Sequence, residues 1–223
     1  MKTKSFSWLF IIICVVALLS GCSAKPETDL LECDAATMTQ FPYNENGVIV
    51  DKHQTITPVA EHPGLVKIET YYVNKGKPIT VRAYEMCRTE VEAKDSVVWS
   101  LQPSSTSGRL DWVLPVTEGF KKENYLGMNN TDYGGGIPVV DLWQKDGGVA
   151  IGLIEPVLRM ISMPVEWKRY ENKVNMSLRY EFEWPVELNT GDTLHTFTAF
   201  RYEHEGDFFN ALRTFSEVMQ KDA

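Results

Sequence analysis

A period of two constrains this chain more than any other feature of its sequence. Across residues 174–184, Val174, Met176, Leu178, Tyr180 and Phe182 alternate with Asn175, Ser177, Arg179, Glu181 and Glu183. Successive side chains of an extended strand point to opposite faces, so the alternation predicts a strand with one buried and one wet face. Residues 64–74, 78–87, 96–102 and 193–203 repeat the pattern with β-branched and aromatic enrichment. Between them, Asn74-Lys75-Gly76-Lys77, Glu171-Asn172-Lys173 and Asn189-Thr190-Gly191-Asp192 supply residue types that reverse a strand. The strongest hairpin joins 138–144 to 149–155 through Lys145-Asp146-Gly147-Gly148, whose Asp-Gly is a primed-turn signal. Many strands, short turns and no interleaved helices predict an all-β fold, antiparallel sheets stacked as a large sandwich over residues 47–204. No fixed repeat is present, which excludes a propeller or solenoid.

Only the C-terminus changes period. Phe208, Ala211, Leu212, Phe215, Val218 and Met219 fall at three-and-four spacing, one face of a helix, with Asp207 placed to cap it. Two readings of that apolar face stand: it lies back on the sandwich, or it meets a following domain.

The 223 residues carry 22 Lys+Arg against 30 Asp+Glu, a formal charge of −8, and 43% are hydrophobic. That is a globular composition, and an acidic chain without a basic stripe lacks the counterion-release term of a nucleic-acid binder. At the N-terminus Lys2 and Lys4 precede an apolar run at 8–19. The run is short of the roughly twenty residues a membrane span needs but suits a secretory leader. Ser20-Gly21 directly before Cys22 is similar to a bacterial lipobox, which predicts cleavage before Cys22 and its acylation. The chain is then lipid-anchored in the bacterial cell envelope, periplasmic or surface-exposed, with the membrane as a partner. The alternative is an ordinary signal peptide followed by an incidental cysteine. Residues 22–46 hold few large apolar groups and are expected to be a tether.

Cys14 leaves with the leader, so Cys33 and Cys87 remain in a compartment where a disulfide is allowed. The other reading is two isolated thiols, with Cys87 buried at a strand end. No CxxC, no HExxH and no ligand-spaced cluster occurs, so neither a metal site nor a cofactor is expected.

Two motifs carry a resemblance. Gly134-Gly135-Gly136-Ile137-Pro138-Val139-Val140-Asp141-Leu142-Trp143, followed by Gly148-Val149-Ala150-Ile151-Gly152 and Glu155-Pro156, resembles the N-terminal β-supersandwich domain of family 36-like α-galactosidases. The end, Glu205-Gly206-Asp207-Phe208-Phe209-Asn210-Ala211-Leu212, is similar to the segment leading into that family's (β/α)8 barrel. The resemblance implies a galactose-mutarotase-like supersandwich that serves α-galactoside degradation. It also implies retaining hydrolysis by two aspartates on the barrel, to which no position here is matched. The expectation is an accessory domain whose barrel is separately encoded or lost. The alternative is a freestanding lipid-anchored carbohydrate-binding module.

Retaining hydrolysis needs two carboxyl groups about 5 Å apart. Asp132 and Asp141 flank the triple glycine, and Glu118, Glu123 and Glu155 are near in sequence, yet no spacing sets two of them face to face. Mutarotase chemistry needs a general acid and base, for which His53, His62, His195 and His204 are the imidazoles available. No Gly-x-Ser-x-Gly elbow is present. Sugar sites combine an aromatic platform with polar acceptors and close backbone approach, and residues 124–136 offer all three. Tyr133 and Trp143 are the expected stacking rings, with Asp132 and Asp141 as hydroxyl acceptors. The competing reading makes Trp143 a core residue and Asp141 its solvated neighbour. Trp99, Trp112, Trp167 and Trp184 are expected in the core.

Overall fold

The structure, a computed structural model, describes residues 25–26, 29–93, 97–102, 112–126, 136–155 and 160–222. These form, in order, β1 (Lys25–Pro26), β2 (Leu30–Cys33), β3 (Thr37–Met38), β4 (Tyr43–Glu45), β5 (Val48–Pro58), β6 (Leu65–Asn74), β7 (Ile79–Glu92), β8 (Val98–Leu101) and β9 (Val113–Val116). There follow β10 (Lys121–Lys122), β11 (Tyr125–Leu126), β12 (Val139–Gln144), β13 (Gly147–Leu153), β14 (Ile161–Ser162), β15 (Val165–Lys168), β16 (Lys173–Leu188), β17 (Thr193–His195), β18 (Ala199–Glu205) and the helix α1 (Phe208–Asp222). One sheet runs β10-β15-β16-β7-β2-β3, with β1 also on β7 and β14 and β11 beside β16. The other runs β4-β5-β6-β18-β13-β12-β8-β9, with β17 on β6. The ladders are antiparallel, so the all-β sandwich expected from the alternation forms.

Leu31, Val81, Met86, Val174 and Met176 from the first sheet meet Val50, Tyr72, Leu142 and Ile151 from the second in one buried core. Each such side chain contributes about 1.5–3 kcal/mol on burial, which is why the alternating positions dictate the strands. Opposite Trp184 the alternation breaks. The β16–β7 ladder jumps from Glu181↔Ala83 to Val186↔Val81, so residues 182–185 face Arg82 alone and bulge. Phe182 stays against Tyr84 and Tyr180, but Trp184 is thrown outward and is 79% exposed. The core expectation is corrected for Trp184, and for Trp99 and Trp112, which also reach solvent. Trp167 packs partly against the core.

The stretch expected to be a tether is built into the sandwich from residue 29 onward. β2 and β3 join the first sheet and β4 the second, and Leu31 and Met38 are fully buried. Asn46 (φ 53°) and Gly47 (φ 79°) are both left-handed and close the β4–β5 hairpin as a two-residue primed turn. In the β12–β13 hairpin the left-handed residue is instead Gly147 (φ 155°), after a two-residue Lys145-Asp146 loop.

Cys33 and Cys87 are buried and unbonded. Cys87 lies within β7 rather than at its end, at φ 55°, where the ladder slips between Thr89↔Met176 and Met86↔Leu178. Burial, reinforced by the charge of Asp29, pushes its thiol far above the ordinary range.

Asp207 caps α1 as expected, its Oδ1 accepting from the Phe209 amide at 3.0 Å. Ala211 and Val218 are buried against Leu65, Val139, Ala150 and Phe200, with Leu212, Phe215 and Met219 beside them. The helix therefore lies back on the second sheet, and β12, β13 and β18 are covered on both faces.

Candidate functional site

The site is built on β12 by the same alternation that builds the core. Val140 and Leu142 enter the core between the sheets. Val139, Asp141 and Trp143 point the other way, toward α1. Their neighbour β13 presents Gly148, Ala150 and Gly152 on that face. A Cβ on Gly148 would sit 2.6 Å from the Trp143 Cβ, and one on Gly152 would sit 2.5 Å from Phe200 Cε1. Only small residues on β13 let side chains from β12 and β18 close over it.

Asp141 and His204 meet across that space. Asp141 is 0% exposed and His204 8%, and His204 Nε2 lies 3.0 Å from Asp141 Oδ1. The other ring nitrogen, Nδ1, faces the Glu205 carbonyl at 3.2 Å. A carbonyl only accepts, so Nδ1 carries a hydrogen, and a further hydrogen lies between Nε2 and the carboxyl. Whichever partner holds it, the pair is neutral overall, as deep burial requires. Burial pushes the Asp141 carboxyl above the usual carboxylate range, opposed by the His204 hydrogen bond. For His204 burial pulls the imidazolium down, but the hydrogen bond and charge of Asp141 outweigh it, and the net shift is upward. Asp141 Oδ2 has no hydrogen-bond partner among the described residues.

Above the pair runs a row of rings. Trp99 on β8 is directly opposite Trp143 in the ladder. Trp143 packs on Phe208 at 5.4 Å, and Phe208 stacks on Phe209 at 4.2 Å. Beside them opens a cleft of about 390 Å³ lined by Val97, Trp99, Trp143, Gln144, Lys145 and the Gly206-Asp207 pair. Trp143 is only 8% exposed and forms the inner wall, whereas Trp99, at 40%, presents a ring to solvent. The cleft thus combines an aromatic wall, a carboxylate, an amide and an ammonium, groups able to hold a hydroxylated ring by its apolar face and polar edge.

Of the four residues expected to bind ligand, Trp143 lines this cleft. Asp141 is wholly buried and engaged by His204, so the structure gives it a partner other than solvent-borne hydroxyls. Asp132 and Tyr133 lie outside the described residues. The other carboxylates weighed for hydrolysis are engaged separately: Glu118 with Arg169 at 2.8 Å, Glu123 with Lys121 at 3.9 Å, and Glu155 with the Thr198 amide at 2.8 Å. His195 is a solvent-facing strand residue beside Tyr71, which also stacks on His53. Trp99, Lys145 and Asp207 were not anticipated at the site. The available signal was that the two resembling motifs supply Trp143 and Gly206-Asp207-Phe208, and these come together in space.

No family model matches the chain. A curated relative, the A type blood alpha-D-galactosamine galactosaminidase of Flavonifractor plautii, is 23% identical over 192 residues, 75% of this chain. The chain spans 17% of that relative's length. Among solved structures, the galactosidase domain of the alpha-galactosidase-sucrose kinase AgaSK superposes with a TM-score of 0.52 at 14% identity. The match covers 83% of this chain and 28% of that one. A GH36 alpha-galactosidase of Geobacillus stearothermophilus, solved with stachyose, gives 0.48 at 12% identity over 88% of this chain and 34% of that one. Over most of its length the chain therefore shares the fold of a part of the AgaSK galactosidase domain, as the resemblance implied.

Proposed function

We propose that this chain is a sandwich domain of an α-galactosidase-like glycoside hydrolase, acting in α-galactoside degradation. It holds a galactoside-type sugar in the cleft of Trp99 and Trp143, while the bond-breaking aspartates reside on a barrel outside these 223 residues. The reading is carried by the convergence of Trp99, Trp143 and Asp207 on one cleft, over a buried Asp141–His204 pair that fixes β12 against β18. The shared fold and the names of the relatives, a galactosaminidase and a galactosidase domain, agree with it. Trp99 is the stacking ring, Trp143 its buttress and Asp207 a hydroxyl acceptor, with Tyr133 a further stacking ring and Asp132 a further acceptor. Asp141 acts as a positioning residue through His204 and Trp143. Acylation of Cys22 holds the domain in the cell envelope, where its substrate arrives.

The test uses the purified 22–223 chain, with tryptophan fluorescence titrated by galactose and raffinose and hydrolysis of a chromogenic α-galactoside followed alongside. A saturable change that vanishes in Trp99→Ala, without turnover, is expected. Turnover by this chain alone would show that the chemistry needs no barrel, and a flat titration would remove the sugar from the cleft. Sugar binding that persists unchanged when a cognate barrel is supplied favours the freestanding carbohydrate-binding module, which the completeness of the cleft on one chain also fits.

A further inference from the structure

The N-terminal segment is bound to the sandwich much closer to Cys22 than a tether permits. In β1, Lys25 is opposite Glu90 and Pro26 opposite Thr89. Asp29 is then locked, its Oδ2 held by Lys52 at 2.5 Å and Gln54 at 3.1 Å, and its Oδ1 by the Cys87 amide at 3.0 Å. An extended chain spans at most about 3.6 Å per residue, so Cys22 lies within roughly 11 Å of Lys25 and roughly 25 Å of Asp29. Because β1 is antiparallel to β7, its N-terminal end is directed toward Glu92 and Ala93.

At that end of β7 stands the β15–β16 turn, residues 169–172. It is tied to β7 twice: Asn172 Nδ2 donates to the Ala93 carbonyl at 2.6 Å, and the Ala93 amide donates to the Asn172 carbonyl at 3.0 Å. Tyr170 at its tip is 96% exposed. β10 lies along β15 and brings Lys121 and Lys122 alongside. Segments 117–126 and 165–173, which make this corner, carry five Lys/Arg against four Glu, and Glu90 and Glu92 on the adjoining β7 bring the acids to six, close to balance in a chain whose formal charge is −8. The corner thus carries little of the net negative charge that the rest of the molecule would set against an anionic leaflet. It also offers a tyrosine, whose amphipathic ring suits the headgroup level.

We propose that the anchored chain stands on the bilayer through this corner, with Tyr170 entering the headgroup layer and Lys121 and Lys122 facing lipid phosphates. The proposal rests on acylation of Cys22. It also locates the cleft: Gln144, which lines it, donates from Nε2 to the Glu92 carbonyl at 3.0 Å, so the cleft lies near this same end of β7.

The test takes the full acylated chain into vesicles of phosphatidylethanolamine and phosphatidylglycerol doped with a headgroup-nitroxide lipid. An environment-sensitive fluorophore is attached at Tyr170→Cys or, at the opposite end of β7, at Lys77→Cys, the buried Cys33 and Cys87 being shielded from the reagent. Quenching of about twofold or more is expected at position 170 and little at 77, and Lys121→Glu with Lys122→Glu weakens it. Equal quenching at both positions, or stronger quenching at 77, overturns the orientation. The mass of the N-terminal peptide reports acylation separately, and an unmodified Cys22 overturns the anchor and the orientation together.

Discussion

Replacing His204 with alanine tests the Asp141–His204 pair most directly. Asp141 is 0% exposed, and His204 Nε2 is the group that shares a hydrogen with its Oδ1. Removing one partner of such a buried pair leaves an uncompensated charge and costs about 3–5 kcal/mol near neutral pH. In the variant the cost should depend on pH with a definite sign. Burial raises the folded carboxyl, so the folded state takes up a proton before the unfolded chain does. The penalty is then absent below the unfolded value of about 3.9, and it grows by about 1.4 kcal/mol per pH unit until the folded pKa is passed. The unsubstituted chain behaves differently. His204 is raised in the folded state, so its contribution is fully present below the unfolded imidazole value of about 6.5 and is lost as the pH rises through the higher folded value. Asp141→Asn serves as the control: its amide can donate to Nε2 while Nδ1 still donates to Glu205, a neutral arrangement that should cost only about 1 kcal/mol. Urea unfolding followed by far-ultraviolet circular dichroism at about pH 5, 7 and 9 reads all three chains. A His204→Ala cost below about 1 kcal/mol, or one that does not change with pH, would refute the shared-proton argument.

Trp184→Ser should change stability by no more than about 0.5 kcal/mol despite the loss of a large ring, because the bulge at 182–185 has already placed it in solvent; a larger loss in urea unfolding would mean that the indole is packed. Gly152→Ala should cost about 1–3 kcal/mol, since its Cβ would meet the Pro138 carbonyl and the Phe200 ring, and an unchanged melting temperature would show that the two strands can part freely. Neither Cys33 nor Cys87 should react with a thiol reagent in the native chain, and both should react on unfolding, as two buried unbonded thiols require. A native thiol titre above zero for the Cys22→Ser chain lacking its leader would contradict that.

What could be read from the sequence and what could not divide on a physical line. Alternation reports which face of a strand is buried, and it locates β6, β7 and β16 because each packs a face on the core, whereas β12 and β13, buried on both faces, are marked instead by the Asp-Gly between their apolar runs. It carries no information about a ladder slip, which is why Trp184, in phase with Phe182, was expected inside and lies outside. The 29–46 stretch departs from the expected tether for a different reason. Its strands are two to four residues long, too short for periodicity, and the expected domain boundary falls between Asn46 and Gly47, through the turn that closes the β4–β5 hairpin. The Asp141–His204 pair joins residues 63 apart, and nothing local distinguishes His204 from any histidine on an alternating strand.

One local signal did carry the site. In Gly147-Gly148-Val149-Ala150-Ile151-Gly152, large and small residues alternate, so one face of the strand is apolar and bulky while the other is nearly bare. A bare face on a central strand is stable only if something else covers it, since an uncovered backbone in an apolar setting forfeits packing on that side. Here the cover is Trp143, Phe200 and His204 reaching in from the flanking strands, with α1 above them. The same bareness that admits the helix also brings Asp141 within reach of His204, so the amphipathic C-terminus and the buried pair are consequences of a single pattern on β13. A side chain restored at Gly148 should therefore disturb both at once. Gly148→Val is expected to loosen α1 and to expose the Trp143 indole together. Faster amide exchange across 208–219 accompanied by a red-shifted tryptophan spectrum would be the observation, and loss of one without the other would show that the helix and the pair are held independently.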